Sequence, residues 1–134
     1  MDFSYSEVQQ MLQDSVQKFV QKSYDFKTRS KIIESEDGYS KENWRLFAEL
    51  GWLAVPFSEE DGGLGGSAVD LIVMMEEFGK ANLVEPFIAT AVLSGGLISE
   101  LGDGARKSEL LEQLVTGKLQ LSCAYAEMGS RFNL

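Results

Sequence analysis

The hydrophobic pattern near the amino terminus has the period of an amphipathic helix. Ser6 is followed three residues later by Gln9, a pairing that forms the capping box at the start of many helices. The apolar residues then recur at steps of three and four: Val8, Met11, Leu12, Val16, Phe19 and Val20. This stripe predicts a helix with one buried face. Ser4 with Glu7 offers an overlapping start, and we favour Ser6.

A second helix is predicted between Ser40, which can act as its cap, and Gly51, which suits the left-handed conformation that ends many helices. Its inward-facing residues are expected to be Trp44, Phe47 and Leu50. Before it, residues 24–39 are polar and mixed in charge without a sustained period, which predicts a connector. After it, an extended apolar piece is predicted to end at Pro56.

A third helix is predicted from Ser67 to Gly79. Its apolar positions are Val69, Ile72, Val73, Met75 and Phe78. Asp70 and the adjacent pair Glu76 and Glu77 are placed on the solvated side of this helix. Adjacent side chains on a helix point about 100° apart, so the pair is not expected to grip one reacting group together.

Two more helices complete the pattern. Pro86 suits the first position of a helix, and the residues from Phe87 to Leu101 are apolar nearly all round, which predicts burial on every side. After a turn at residues 102–104, a final amphipathic helix is predicted to end at Gly117. Its buried positions are Leu110, Leu111, Leu114 and Val115.

The period changes to two after the last helix. Leu119, Leu121, Cys123 and Tyr125 alternate with other residues, which predicts a strand. A single strand needs a partner, so this one implies a sheet formed with further chain. We therefore predict an all-α fold, a bundle of about five to six helices, that ends in the first strand of a β domain. The helical domain is predicted over residues 1–118 and the start of the β domain over 119–134.

Composition narrows the possible functions. The 134 residues are 44% apolar, enough for one core. The chain contains no histidine and only Cys123, which excludes a histidine base, a histidine metal ligand and an internal disulfide. The net charge of −9 argues against nucleic-acid binding. The amino terminus has no basic segment before an apolar one, and no apolar run approaches a membrane span, so we expect a cytoplasmic protein without a membrane span.

A glycine-rich loop before the third helix resembles a dinucleotide-binding fingerprint. Gly63, Gly65 and Ala68 fit G-x-G-x-x-A, and Glu85 lies about 20 residues further on. Three carboxylates at residues 59–61, however, stand where a pyrophosphate would have to bind. We favour the alternative interpretation, a tight turn that needs positive φ.

The stretch from Trp44 to Gly79 and the motif A-Y-A-E-M-G-S-R-F at residues 124–132 together resemble one family. This is the N-terminal helical domain of the acyl-CoA dehydrogenases, flavoenzymes that desaturate acyl-CoA thioesters between Cα and Cβ. In that family a β domain and a four-helix domain follow. The S-R-F ending is similar to a divergent branch, the small subunits of bacterial paired dehydrogenases that act on sterol-side-chain or dicarboxylic acyl-CoAs.

The resemblance implies two sets of site residues. Small residues after Pro86 indicate either close helix packing or a channel for a ligand chain. In the family the corresponding helix faces the acyl chain, and the substrate-binding candidates are Thr90, Leu93, Ser94 and Leu97. The cofactor-binding candidates are Tyr125, Ala126, Glu127 and Ser130. Ala126 stands where the family has a threonine and has no hydroxyl, so a flavin contact there would use backbone atoms.

The family's mechanism places the chemistry elsewhere. A glutamate takes the α-proton while flavin N5 receives the β-hydride, and this base lies in the C-terminal domain. We therefore expect no catalytic residue and no metal ligand in this chain, FAD only in the full-length protein and not bound to this chain alone, and no activity of the chain by itself. Its expected partners are an acyl-CoA substrate, an electron-transfer flavoprotein as acceptor, and other dehydrogenase subunits in a homo- or hetero-oligomer. A non-catalytic helical interaction or scaffold module of the same fold is the alternative.

Overall fold

The computed structural model describes residues 4–126 and 129, and within them the fold is entirely helical. The α-helices are α1 (Glu7–Ser23), α2 (Phe26–Ile33), α3 (Lys41–Glu49), α4 (Ala68–Lys80), α5 (Gly96–Leu101) and α6 (Gly104–Val115). Two short 3-10 turns span Trp52–Ala54 and Glu59–Asp61, and a π-helix over Ile88–Gly95 runs directly into α5. The predicted all-α bundle is confirmed.

The capping box at the start of α1 forms as predicted. The backbone N–H of Gln9 donates to the Ser6 hydroxyl at 3.2 Å, and the Gln9 side chain accepts from the Ser6 backbone at 3.0 Å. The predicted buried stripe is wrong in its first two turns, where Val8 and Met11 are exposed. With Leu50, which is also exposed against prediction, they line a cleft that no described element fills.

Helix α2 lies where a connector was predicted. The hydrophobic period does not predict this helix, because none of its residues is buried and it carries no apolar stripe. Local and long-range hydrogen bonds define it instead. Asp25 caps the helix by accepting from the Thr28 backbone at 2.7 Å, and the Arg29 guanidinium donates to the Asn82 carbonyl at 2.6 Å.

The core is built around aromatic rings, and both tryptophans belong to it as expected. The Phe47 ring lies 4.9 Å from Trp52 and 5.3 Å from Phe19, measured between centroids. Gly51 is left-handed with φ of 75°, as predicted. The piece after it is a 3-10 turn and not extended, because the Ala54 N–H bonds back to the Gly51 carbonyl. A short, fully buried apolar run does not reveal its backbone conformation.

The glycine loop is a tight turn, and its amides are already used within the chain. Gly62 and Gly65 have φ of 80° and 65°, values that glycine adopts readily. The Gly65 N–H donates to the Phe57 carbonyl at 2.7 Å and the Gly66 N–H donates to the Val55 carbonyl at 2.9 Å. These donors therefore do not point at a phosphate, which removes the dinucleotide interpretation.

The second half of the chain departs from prediction in its burial. Leu93, Leu97 and Leu101 are exposed, so the segment after Pro86 is not buried on every side. Helix α6 buries Leu111 and Leu114 completely, as predicted, while Leu110 and Val115 are half-buried. Residues 119–126 form neither helix nor a paired strand. The predicted strand and the domain boundary at residue 118 stay predictions, because a lone strand has no ladder partner to define it.

Glu77 on α4 is buried, against the prediction that it is solvated. Its carboxylate accepts hydrogen bonds from Lys80 at 2.7 Å and from the amides of Gln13 and Gln17 at 3.1 Å each. The helix therefore turns a charged residue towards α1, where Gln13 and Gln17 meet it, while Lys80 on α4 itself supplies the opposite charge. Val69 and Ile72, predicted to face the core, are exposed instead.

The network around Glu77 predicts a loss of stability in acid. Burial alone would raise the pKa of Glu77, but the bonds from Lys80, Gln17 and Gln13 outweigh it and lower the pKa below its ordinary 4.5. The stabilisation is present above pH 4.5 and is lost as the pH falls through the lowered pKa. Glu77→Gln is expected to reduce the free energy of unfolding by about 1 to 2 kcal/mol at neutral pH.

Urea unfolding of the wild type and the variant between pH 7 and pH 3 measures this dependence. The difference between the two proteins should shrink in acid, because wild-type Glu77 is then protonated. Glu76→Gln is the matched control, since Glu76 is the exposed neighbour, and it should change stability by less than about 0.5 kcal/mol. A difference that does not depend on pH would contradict the argument.

Candidate functional site

The site candidate is the helix formed by the π-helical segment and α5. In a π-helix each backbone hydrogen bond joins residues five positions apart, one more than in an α-helix. Such segments are often found at functional sites. Here it begins at Ile88, after Pro86, and ends at Gly95. Within it, the Ser94 hydroxyl donates to the Ala89 carbonyl five residues earlier, at 2.7 Å.

One face of this helix packs against the rest of the domain. Thr90 is fully buried, and its hydroxyl donates to the Leu121 carbonyl at 3.0 Å and accepts from the Leu121 N–H at 3.3 Å. Ser94 is also buried. Gly95 is so close to Phe57 that an added Cβ would lie 2.5 Å from the far end of that ring. The small residues on this face therefore serve close packing, one of the two interpretations that the sequence left open.

The other face is apolar and exposed. Leu93 and Leu97, one turn apart, expose 48% and 46% of their surface, and Leu101 continues the same side at 80%. The four candidate substrate-binding residues thus divide into two pairs, with Thr90 and Ser94 turned into the domain and Leu93 and Leu97 turned away from it. An exposed row of leucines on a helix of this hydrophobicity indicates a surface that another group covers.

A cleft of about 440 Å³ opens beside the start of this helix. Its lining is mainly apolar and includes Met75, Phe78, Leu83, Pro86, Phe87 and Ile88. Sequence reasoning did not identify it, because its walls come from α4, from the following loop and from the π-helix. Clefts of this size bind small molecules in many proteins.

The one carboxyl group in this cleft, that of Glu85, is fully engaged. Its two oxygens accept from the Tyr24 hydroxyl at 2.8 Å and from the Asn43 amide at 2.7 Å. The Tyr24 hydroxyl also accepts from the Val84 N–H at 3.0 Å, and burial raises the pKa of Tyr24. Glu85 therefore holds three segments together and is not available as a base.

The candidate cofactor-binding residues lie at the carboxyl end. Tyr125 and Ala126 are exposed, and no described element packs over them. Glu127 and Ser130 lie outside the described residues. In the described ranges, no three His, Cys, Asp or Glu side chains come together as metal ligands. No helix in these ranges is long and apolar enough to cross a membrane.

Comparison with known proteins identifies the family. The family model described as acyl-CoA dehydrogenase, N-terminal domain, matches residues 6–118. The chain belongs to this family. The curated acyl-CoA dehydrogenase IpdE2 of Mycolicibacterium smegmatis is 34% identical over 113 residues, which cover 84% of this chain and 35% of that protein.

Solved structures agree with this assignment. A variant of the Tcur3481-Tcur3483 steroid ACAD matches with a TM-score of 0.82 and 28% identity, covering 92% of this chain and 34% of that one. The FAD complex of PigA matches with a TM-score of 0.75 and 29% identity, covering 90% and 32%. The chain therefore spans about a third of the length of the relatives that it matches.

Proposed function

We propose that this chain acts as the N-terminal domain of an FAD-dependent acyl-CoA dehydrogenase and forms one wall of the acyl pocket. The observation that carries the proposal is the exposed leucine row on a helix whose other face is tightly packed, in a domain of this family. An acyl chain is apolar, and the removal of apolar surface from water would stabilise its binding there.

In this proposal the two pairs of candidate residues have different roles. Leu93 and Leu97 contact the acyl chain and exclude water from it. Thr90 holds the helix from behind through its bonds to Leu121, and Ser94 lies on the same packed face and bonds within the helix to Ala89. The position of the wall is then set by the packing behind it, because Phe57 and Leu114 leave no space at Gly95 for the helix to move inward.

FAD would supply the hydride acceptor, and this chain offers only a small part of its site. Tyr125 contributes an exposed aromatic ring and Ala126 contributes backbone atoms, which fits a peripheral flavin contact and not a complete site. The PigA structure contains FAD, which supports a flavin in the complete enzyme. Glu127 and Ser130 stay candidates for the same contact.

The partners of the complete enzyme follow from the same relatives. We propose a hetero-oligomer of dehydrogenase subunits that acts on a sterol-derived acyl-CoA, since the similar Tcur3481-Tcur3483 protein pairs two polypeptides in its name and is described as a steroid ACAD. An electron-transfer flavoprotein as acceptor and a cytoplasmic location stay predictions. The alternative of a non-catalytic scaffold has no observation in its favour.

The acyl-wall proposal is tested by enlarging the leucine row in the full-length enzyme. Leu93→Trp and Leu97→Trp are expected to shorten the accepted acyl chain, lowering the ratio of kcat/KM for long over short substrates by about tenfold or more. The melting temperature should change little, because both side chains are exposed on this domain. A chain-length profile beside a thermal melt measures both effects.

Two further variants separate the wall from simple packing. Val69→Trp is the matched control, because Val69 is 47% exposed on α4, and it should leave the profile unchanged. Ser94→Phe overpacks the buried face and should destabilise the protein by about 1 to 3 kcal/mol. An unchanged profile in both leucine variants would reject the acyl wall, and so would a change equal to that of Val69→Trp.

A further inference from the structure

Another cleft lies between α3 and the segment that follows α6. It has a volume of about 450 Å³, and its walls include Lys41, Trp44 and Arg45 on one side and Lys118 and Gln120 on the other. Among the described residues, its lining includes three cations and no acidic residue. The chain as a whole carries a net charge of −9, so this is a local reversal of its charge.

Two of these cations have no partner of opposite charge in the part of the chain that the structure describes. Lys41 pairs with Asp37 at 2.6 Å, which offsets its charge. Arg45 and Lys118 form no ion pair with any residue in the described part of the chain. Their positive charge is therefore available to an anion that enters the cleft.

Two residues that line this cleft each carry a buried hydrogen-bond donor with no acceptor among the described residues. The indole Nε1 of Trp44 and the side-chain Nε2 of Gln120 are shielded from solvent and have no partner among the described residues. Trp44 is 97% buried, its exposed fraction being 3%. An unsatisfied buried donor costs about 1 to 3 kcal/mol, and native proteins contain few of them. In the described ranges, both buried side-chain donors of this kind belong to residues that line this one cleft.

We propose that this cleft binds an oxyanion, the carboxylate or phosphate group of a small molecule. Trp44 and Gln120 would supply neutral N–H donors, and Arg45 and Lys118 would supply charge. Charge-assisted hydrogen bonds of this kind are about twice as strong as neutral ones. The site shares no lining residue with the leucine row, so this proposal does not depend on the acyl wall.

The test uses the indole N–H signals in a ¹⁵N–¹H correlation spectrum of the 134-residue chain. The chain has two tryptophans, and Trp52 lies in the aromatic core, so its signal is an internal reference. Sodium phosphate or sodium acetate is titrated against sodium chloride at equal ionic strength. A saturable downfield shift of the Trp44 signal, with Trp52 unmoved, is expected, and the two arms show whether phosphate or carboxylate is preferred.

Variants test the charges. The double variant Arg45→Gln with Lys118→Gln should raise the anion concentration at the titration midpoint at least about tenfold, which corresponds to a loss of 1.4 kcal/mol in binding free energy. Lys18→Gln with Lys22→Gln removes the same charge from exposed positions on α1 and should leave the midpoint unchanged apart from a small general effect. Equal weakening by both pairs would overturn the proposal.

Three other outcomes would also reject the proposal. No saturable shift with either anion would reject the site, as would a shift that chloride reproduces. A Trp44 N–H that is already downfield, slow to exchange and insensitive to anions would show a bond to the Gln120 carboxamide oxygen after rotation of that group. The cleft would then have no free donor, and the proposal would be wrong.

Discussion

Tyr24→Phe is expected to lower the free energy of unfolding of the 134-residue chain by about 2 to 4 kcal/mol. The change removes one oxygen that makes two hydrogen bonds, donating to the buried Glu85 carboxyl at 2.8 Å and accepting from the half-buried Val84 N–H at 3.0 Å. Water cannot replace the bond to Glu85, because Tyr24 is 3% exposed and Glu85 is 5% exposed. Urea unfolding followed by far-UV circular dichroism measures the loss.

Tyr39→Phe is the matched control, since Tyr39 is half-buried and makes no described hydrogen bond through its hydroxyl. It should change stability by less than about 0.5 kcal/mol. If the two substitutions had equal effects, the network that joins Tyr24, Asn43 and Glu85 would not stabilise the fold. Both proteins are expected to unfold cooperatively, because the helices share one core.

Gly95→Ala is expected to destabilise the chain by about 1 to 3 kcal/mol through overpacking. The new methyl group would lie 2.5 Å from Cζ of Phe57 and 3.0 Å from Cδ1 of Leu114. Both neighbours are buried side chains of the core, so neither can move aside without displacing others. A thermal melt or urea titration gives the magnitude.

The adjacent glycine provides a control of the same chemistry. Gly96 has helical φ and ψ of −58° and −45°, and an added Cβ there would meet nothing within 4 Å. Gly96→Ala should therefore be neutral or stabilise the chain by up to about 1 kcal/mol, since alanine is the better helix former. Equal destabilisation by both substitutions would mean that backbone conformation, and not the contact with Phe57, requires glycine at position 95.

Several features followed directly from the sequence because their causes lie within one helical turn. The caps at Ser6, Ser40 and Ser67 form with the backbone N–H three residues later, as the spacing predicts. Gly51 and Gly117 are left-handed after α3 and α6, since glycine has no Cβ penalty there. The helix positions and the motif at residues 124–132 were also enough to indicate the family, which the match over residues 6–118 shows.

Other features depended on residues far apart in sequence and were missed. Glu77 is charged, and a charged residue is normally expected at the surface. It is buried here because Gln13 and Gln17 bond to it from a helix 60 residues or more away in sequence. Helix α2 has no apolar period, and one of its stabilising contacts is to Asn82, 53 residues from Arg29. No local pattern contains information about such partners.

The sequence by itself therefore determined the helical class, the ends of most helices and the family, because capping and hydrophobic period are local properties of the chain. Only the tertiary structure decided which face of each helix is buried. It turned Thr90 and Ser94 inward and left Leu93 and Leu97 exposed, although all four lie on one apolar segment. The physical reason is that burial depends on which surfaces meet, and a helix that is apolar all round can be packed on either face.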